Sequence, residues 1–270
     1  LKIFARTLIF SIVCLALSQF LTRETYAQDK DFKQMRSEHF IINYQEGVKR
    51  GYVSKIKNTA ERFYRTITQE FSLIRDELWL WENRAKVFIA KDKDSYLEKF
   101  GCSSWSAACV NYHEKIIYTY PDQSRFSSIF IHELTHIIFR ERSGKGNFPL
   151  WLDEGAATFV EDKYSGHLYK KRLKVLSKAI KNNKHIDFIS LSKVTVGSLR
   201  NKDSEYVNLF YLESFSIVNF IIAKFGKYKF SSFLSSLKKG YSLESALAKI
   251  SYQFKGIEDL EKQWKKFYQK

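Results

Sequence analysis

Past residue 27 the chain offers no obvious apolar run of the ~20 residues that cross a bilayer, so no second membrane span is expected. It has no internal repeat and no low-complexity stretch, which leaves an ordinary globular unit rather than an array or a tail. Cysteine is scarce, with only Cys14, Cys102 and Cys109. The last two lack metal-ligand spacing and have no His between them, so they do not form a zinc clip. Outside the cytoplasm they could close one short disulfide loop; two buried or free thiols are the alternative. Acidic residues are also short, 29 against 45 Lys and Arg, giving a net charge of +16. The first 27 residues account for only +2 of it, Lys2, Arg6 and Arg23 against Glu24. Such a surface favours anionic partners, an acidic envelope polymer or a membrane surface, and export sets nucleic acid aside. The runs Lys170-Lys171-Arg172 and Lys181-Asn182-Asn183-Lys184 read as solvated helix faces.

What is present begins with a leader. Lys2 and Arg6 precede an apolar run from Leu8 to Leu21, and Thr25-Tyr26-Ala27 supplies a small-residue cleavage site. Residues 1–27 therefore read as a secretory signal peptide, placing the mature chain in the periplasm, on the envelope or outside the cell. Val13 stands before Cys14 where a lipoprotein needs a small residue. An uncleaved anchor is the competing reading, weakened by the shortness of the apolar run.

The remaining sequence is organised around His132-Glu133-Leu134-Thr135-His136. On a helix, residues four apart share a face, so the two imidazoles can grip one metal ion from adjacent turns while Glu133 stands beside them as a base. Phe126, Phe130, Ile131, Leu134, Ile137, Ile138 and Phe139 make this helix apolar nearly all round, hence buried. Two imidazoles and a carboxylate in such a helix are costly unless paired or ligating. Catalytic zinc takes three protein ligands, and Glu154, eighteen positions after His136, is the nearest suitable third. Gly155, Ala156 and Ala157 would let its helix approach closely, and Asp153 reads as a helix-dipole partner.

Around this motif, Phe40 to Tyr44 and Ala85 to Ala90 read as strands, Lys49 to Leu78 as a long amphipathic helix and Asp94 to Phe100 as a short one. Ala107 to Tyr112 and Lys115 to Tyr120 pair as a hairpin through an exposed His113-Glu114, although the turn lacks Gly. Residues 28–36 read as a loose lead-in. After Glu154 the pattern is helical at 168–180, 206–225, 230–238, 243–250 and 257–268, with connectors at 187–191 and 197–203. The fold class is α+β: one domain over 28–270, with a small mixed sheet and the active-site helix in 28–142 and a helical lobe in 143–270.

The run H-E-L-T-H, a short connection and P-L-W-L-D-E-G-A-A resembles the gluzincin zinc metallopeptidases, and within them the bacterial peptidase MA-like proteins. Ser37 to Tyr44 looks like that family's opening strand, Tyr211 to Phe220 like its helix after the active site, and Gly240 to Trp264 like its closing helices. The resemblance implies a zincin-like fold and one Zn2+ per chain on His132, His136 and Glu154. It implies attack on a peptide bond by a zinc-bound water that Glu133 deprotonates, with Tyr211, or nearby Tyr206, steadying the oxyanion. It also implies that Ser103 to Val110 is an edge strand along which an extended substrate lies, flanked by Trp105 and Tyr112.

Two departures from the family pattern matter. Gly101 to Cys109 lacks the acidic and amide residues that hold a free amino end in aminopeptidases of this clan, so an endopeptidase acting on peptides or proteins is expected. Thr158 stands where relatives often carry a carboxylate that orients a zinc-bound His, leaving that task to Glu161, Asp162 or a water. The rival reading is a non-catalytic cationic envelope-binding protein that keeps the fold, which would have no need of Glu133.

Overall fold

The computed structural model describes residues 31–73, 78–102, 108–121, 126–143, 148–164, 166 and 168–269, and not the side chains of 142 and 143. The expected leader (1–27) and Trp105 lie outside the described residues. Five strands, β1 (Phe32–Arg36), β2 (Phe40–Gln45), β3 (Ala85–Ile89), β4 (Ala108–Asn111) and β5 (Ile116–Thr119), form one mixed sheet. Their order is β1-β2-β3-β5-β4, so β4 is an edge strand, antiparallel to β5. The three central strands run parallel and are buried almost throughout, as expected of strands covered on both faces. Val87 and Ile89 face the main core, and Phe88 between them faces a smaller cluster with Tyr96, Phe100 and Tyr120.

Helix α1 (Arg50–Glu70) crosses from β2 to β3 and buries Val53, Ile56, Ala60, Phe63 and Ile67. The sequence pattern carried it on to Leu78, but it stops earlier. Ser72 takes a left-handed φ of +48°, and the Leu73 N–H turns back to the Thr68 carbonyl at 2.9 Å. Helix α2 (Lys93–Phe100) is capped by the Asp92 side chain and ends on Gly101 at φ +62°. The lead-in before Ser37 proves to be β1, which pairs antiparallel with β2 from Phe32↔Gln45 to Arg36↔Ile41. Its residues are largely exposed, so no buried alternation betrayed it. The hairpin turns as expected, with His113 exposed, and Lys115 at φ +56° takes the place a glycine usually holds. Asn111 supports it by accepting the Glu114 N–H at 3.2 Å. Cys102 and Cys109 are bonded, with Cα atoms 6.1 Å apart, so the disulfide closes the loop leading into β4.

The rest is helical: α3 (Phe126–Ser143), α4 (Leu150–Tyr164), α5 (Leu168–Lys171), α6 (Leu173–Lys181), α7 (Phe188–Ser192), α8 (Val196–Arg200), α9 (Ser204–Phe225), α10 (Lys227–Lys238), α11 (Leu243–Leu247) and α12 (Ile257–Tyr268). The expected helix over 168–180 is split at Arg172 into α5 and α6, and both expected connectors are short helices, α7 and α8. These two open on side-chain caps, Asp187 and Thr195. One buried cluster runs from Phe40 and Val87 to Leu260 and Trp264, so sheet and helices share a core.

Helix α9 corrects the expectation that no further long apolar segment exists. By length and composition it could cross a membrane, yet 67% of its apolar window is buried inside the protein. It packs mainly on α4. A Cβ at Gly155 would collide with the Ser214 carbonyl oxygen and lie 2.9 Å from Val218 Cγ2. Gly155 therefore admits α9 as a close neighbour of α4.

Candidate active site

From Phe130 to Phe139 helix α3 is buried on every side, with Phe130, Ile131, Leu134 and Phe139 wholly excluded from solvent. His132 and His136 lie one turn apart on it and are themselves buried. Their Nε2 atoms stand 3.1 Å from each other, and each is 3.7 Å from Glu154 Oε2 on α4. Tetrahedral ligands about 2.0–2.2 Å from a common zinc would be about 3.3–3.5 Å apart, so the three positions fit a single ion. Both Glu154 carboxylate oxygens are buried without a hydrogen-bond partner. An uncompensated buried carboxylate is costly; a cation shared with the two imidazoles supplies the missing partner.

The opposite edge of each imidazole is fixed. His132 Nδ1 donates to Glu161 Oε2 at 2.9 Å, and His136 Nδ1 donates to Asp153 Oδ1 at 2.9 Å. With Nδ1 carrying the proton, each Nε2 lone pair turns toward Glu154, the arrangement a metal-binding His requires. Thr158 is not a substitute orienter, since its hydroxyl donates to the Glu154 carbonyl at 2.7 Å. Asp162, the other candidate, caps α5 by accepting the Tyr169 and Lys170 N–H groups. Asp153 is the correction: it holds a ligand rather than merely facing a helix dipole. Burial would raise the Asp153 pKa, but His136 and Arg140 hold it below the usual carboxylate range. Burial would likewise depress the His132 pKa, yet the facing carboxylates of Glu154 and Glu161 push it well above the ordinary imidazole value.

Glu133 is buried beside the ligands, not among them, and Tyr112 Oη donates to its Oε2 at 2.7 Å. Tyr112 follows directly on the edge strand β4, so the strand end reaches the carboxylate. This contact with the base is a role beyond the one expected of Tyr112, which was to flank a bound chain. Arg140, one turn beyond His136, lays its guanidinium carbon 3.9 Å from the Tyr112 ring centroid and reaches Asp153 Oδ2 at 3.3 and 3.4 Å. No sequence pattern marked Tyr112, Asp153 or Arg140 for these roles. A carboxylate beside the third ligand and an Arg at i+4 from the second His are the only signals that could have.

Tyr211 is fully buried on α9, one turn before Ser214, whose carbonyl oxygen meets Gly155. That spacing puts it on the face of α9 turned toward α4. Tyr206 is half-buried near Glu213 and Asp187, whose charges add to burial in raising its pKa. Tyr169 went unnoticed in the sequence. It is buried and stacked on Phe215, and burial, then the charges of Glu161 and Glu154, push its hydroxyl well above the usual tyrosine range.

Among solved structures the fold is similar to leukotriene A4 hydrolase of Saccharomyces cerevisiae. One structure of the native enzyme aligns at a TM-score of 0.51 and 15% identity, covering 87% of this chain and 38% of that one. The yeast enzyme in complex with bestatin aligns at 0.50 and 14%, covering 85% and 38%. The chain thus spans well under half the length of these proteins, and the likeness is one of fold. No curated protein matches the sequence. The sequence profile of the Peptidase MA superfamily matches residues 104–270, a stretch that contains β4, the two histidines, Glu154 and the helices from α3 to α12. With that match over more than half its length, and a metallopeptidase ligand set in place, the chain belongs to the Peptidase MA superfamily.

Proposed function

We propose that the protein is an exported zinc endopeptidase. The observation that carries this reading is the buried Glu154 carboxylate, without a hydrogen-bond partner and facing two Nε2 lone pairs, with a separate carboxylate, Glu133, alongside. His132, His136 and Glu154 would hold the ion; when bound, zinc would polarise a water and the scissile carbonyl. Tyr112 engages Glu133 Oε2, which turns Oε1 to take the proton of the attacking water. Glu133 then returns that proton to the leaving amine as the C–N bond breaks. Tyr211 donates its hydroxyl to the carbonyl oxygen as negative charge develops there. Edge strand β4 ends just before Tyr112, so an extended substrate adding to it as one more strand would pass Glu133. Backbone pairing of that kind reads little of the side chains. Digestion of a peptide library, with products identified by mass spectrometry, should give internal cuts of broad sequence tolerance that stop on chelation. Release of single residues from the N-terminus alone would defeat the endopeptidase assignment.

The partner beyond the substrate is an anionic envelope polymer or membrane surface. Between residues 163 and 202 eleven Lys and Arg stand against one acidic residue, Asp187. Lys171, Lys174, Lys178 and Lys181 lie exposed at helical spacing along α5 and α6. This charge also favours the second reading, an envelope-binding protein, although binding alone gives no use to Glu133. Cell fractionation tests location and partner together. The protein should start at Gln28, sediment with the envelope and leave it at high salt, since exposed charge pairs are screened. Recovery from the cytoplasm with the leader intact would overturn the export assignment.

A further inference from the structure

We propose that Arg140 is a positioning residue that ties the support of a metal ligand to the support of the base. The inference rests on the metal-hydrolase reading of the site and adds to it a coupling between its two halves. Glu133, His136 and Arg140 fall at i, i+3 and i+7 of α3, on one face. From that face Arg140 reaches two other elements at once. Its Nε and Nη2 donate to Asp153 Oδ2 on α4, while Asp153 Oδ1 accepts the His136 Nδ1–H at 2.9 Å. Each carboxylate oxygen has its own task, so the Arg140 contact fixes the rotation of Asp153 and with it the plane of His136. The guanidinium face covers the Tyr112 ring at 3.9 Å, and the Tyr112 hydroxyl donates to Glu133 at 2.7 Å. Tyr112 also packs edge-on against His136, with centroids 5.9 Å apart.

The contacts close a ring: His136, Asp153, Arg140, Tyr112, Glu133 and back along one turn of α3. Arginine suits this place because its planar cation can donate in its plane and stack through its face simultaneously. A lysine ammonium could keep an ion pair with Asp153 but would offer no plane to hold the tyrosine. Loss of Arg140 therefore frees the Asp153 carboxylate and the Tyr112 ring together, and both the metal and the base lose their alignment.

The test is a double-mutant cycle with two independent readouts, zinc affinity by chelator competition and turnover of a peptide substrate. Arg140→Met should weaken zinc binding about 10-fold and lower kcat by about 10- to 100-fold, the usual range for residues behind a metal ligand. Tyr112→Phe should lower kcat and leave zinc affinity unchanged. In the double variant kcat should fall no further than in Arg140→Met, because the tyrosine has already lost its alignment. Arg140→Lys, which spares the ion pair, should recover zinc affinity while kcat stays low, a split that a purely structural role would not give. The coupling is overturned if the two single effects on kcat multiply in the double variant, or if Arg140→Met and Arg140→Lys both keep parental affinity and kcat. A parent that binds zinc and cleaves nothing would sink the hydrolase reading, while the affinity arm would still decide the Asp153 half of the ring.

Discussion

Replacing Glu154 with Ala should leave purified protein with no zinc under conditions where the parent carries one per chain. Two ligands would remain, His132 and His136, on one turn of one helix, and Glu154, the ligand from a second element, would be gone. The loss should also appear as stability. A ligand that binds only the folded state stabilises by RT ln(1 + [L]/Kd), about 2.7 kcal/mol at a hundredfold excess over Kd. Added zinc should therefore raise the unfolding temperature of the chelated parent and leave the variant unmoved. The variant itself should fold, because the Glu154 carboxylate makes no hydrogen bond that its removal would break, and α4 keeps Trp151, Leu152 and Ala156 in the core. Full zinc occupancy in the variant would show that the third ligand lies elsewhere. Element analysis after dialysis decides between the two outcomes.

What could be read in the sequence follows the range over which each feature is encoded. The pair His132 and His136 was legible because four residues on a helix are one face, and the apolar surroundings told that the face is buried. Glu154 followed from the demand for a third ligand. Asp153, adjacent to it, was misassigned, because its partner is set by the approach of α4 to α3 and not by its own neighbours. Tyr112 and Arg140 meet across elements although they stand 28 positions apart in the chain, and no periodicity records such a contact. The same limit explains the fold errors. Strand β1 exposes most of its side chains and exists through backbone pairing to β2, which leaves no apolar alternation to see. Helix α1 ends on the Ser72 turn although apolar spacing continues past it, since periodicity marks which face is buried and not where the chain turns away. Glu61 illustrates the opposite case. It is paired with the His39 ring at 2.7 Å and the His39 N–H at 2.8 Å, and these bonds, set against the cost of burial, leave its pKa low. That pair pins the start of β2 to α1.

Glu133→Gln should keep zinc and lose on the order of 10²–10⁴ in kcat, the usual contribution of a general base. The substitution is nearly isosteric, and the amide oxygen can still accept from Tyr112, so position and packing are retained. What is lost is basicity: an amide cannot take a proton from water near neutral pH. Since Glu133 stands beside the ligands, metal content should not change, and KM should move little if substrate is held chiefly along β4. Tyr211→Phe is the companion measurement. If its hydroxyl steadies the developing oxyanion, kcat should drop by about 10²-fold, again at full zinc. Tyr169→Phe, on a ring packed against Phe215, should then affect turnover much less. A large loss in Tyr169→Phe with none in Tyr211→Phe would reassign the donor. Near-parental turnover in Glu133→Gln with zinc present would mean that another group removes the proton, and Glu161 would be the first to test, since it already holds His132 at 2.9 Å. An equally inert parent and variant, both fully loaded, would instead favour the envelope-binding reading, because only a catalyst distinguishes a carboxylate from an amide at this position.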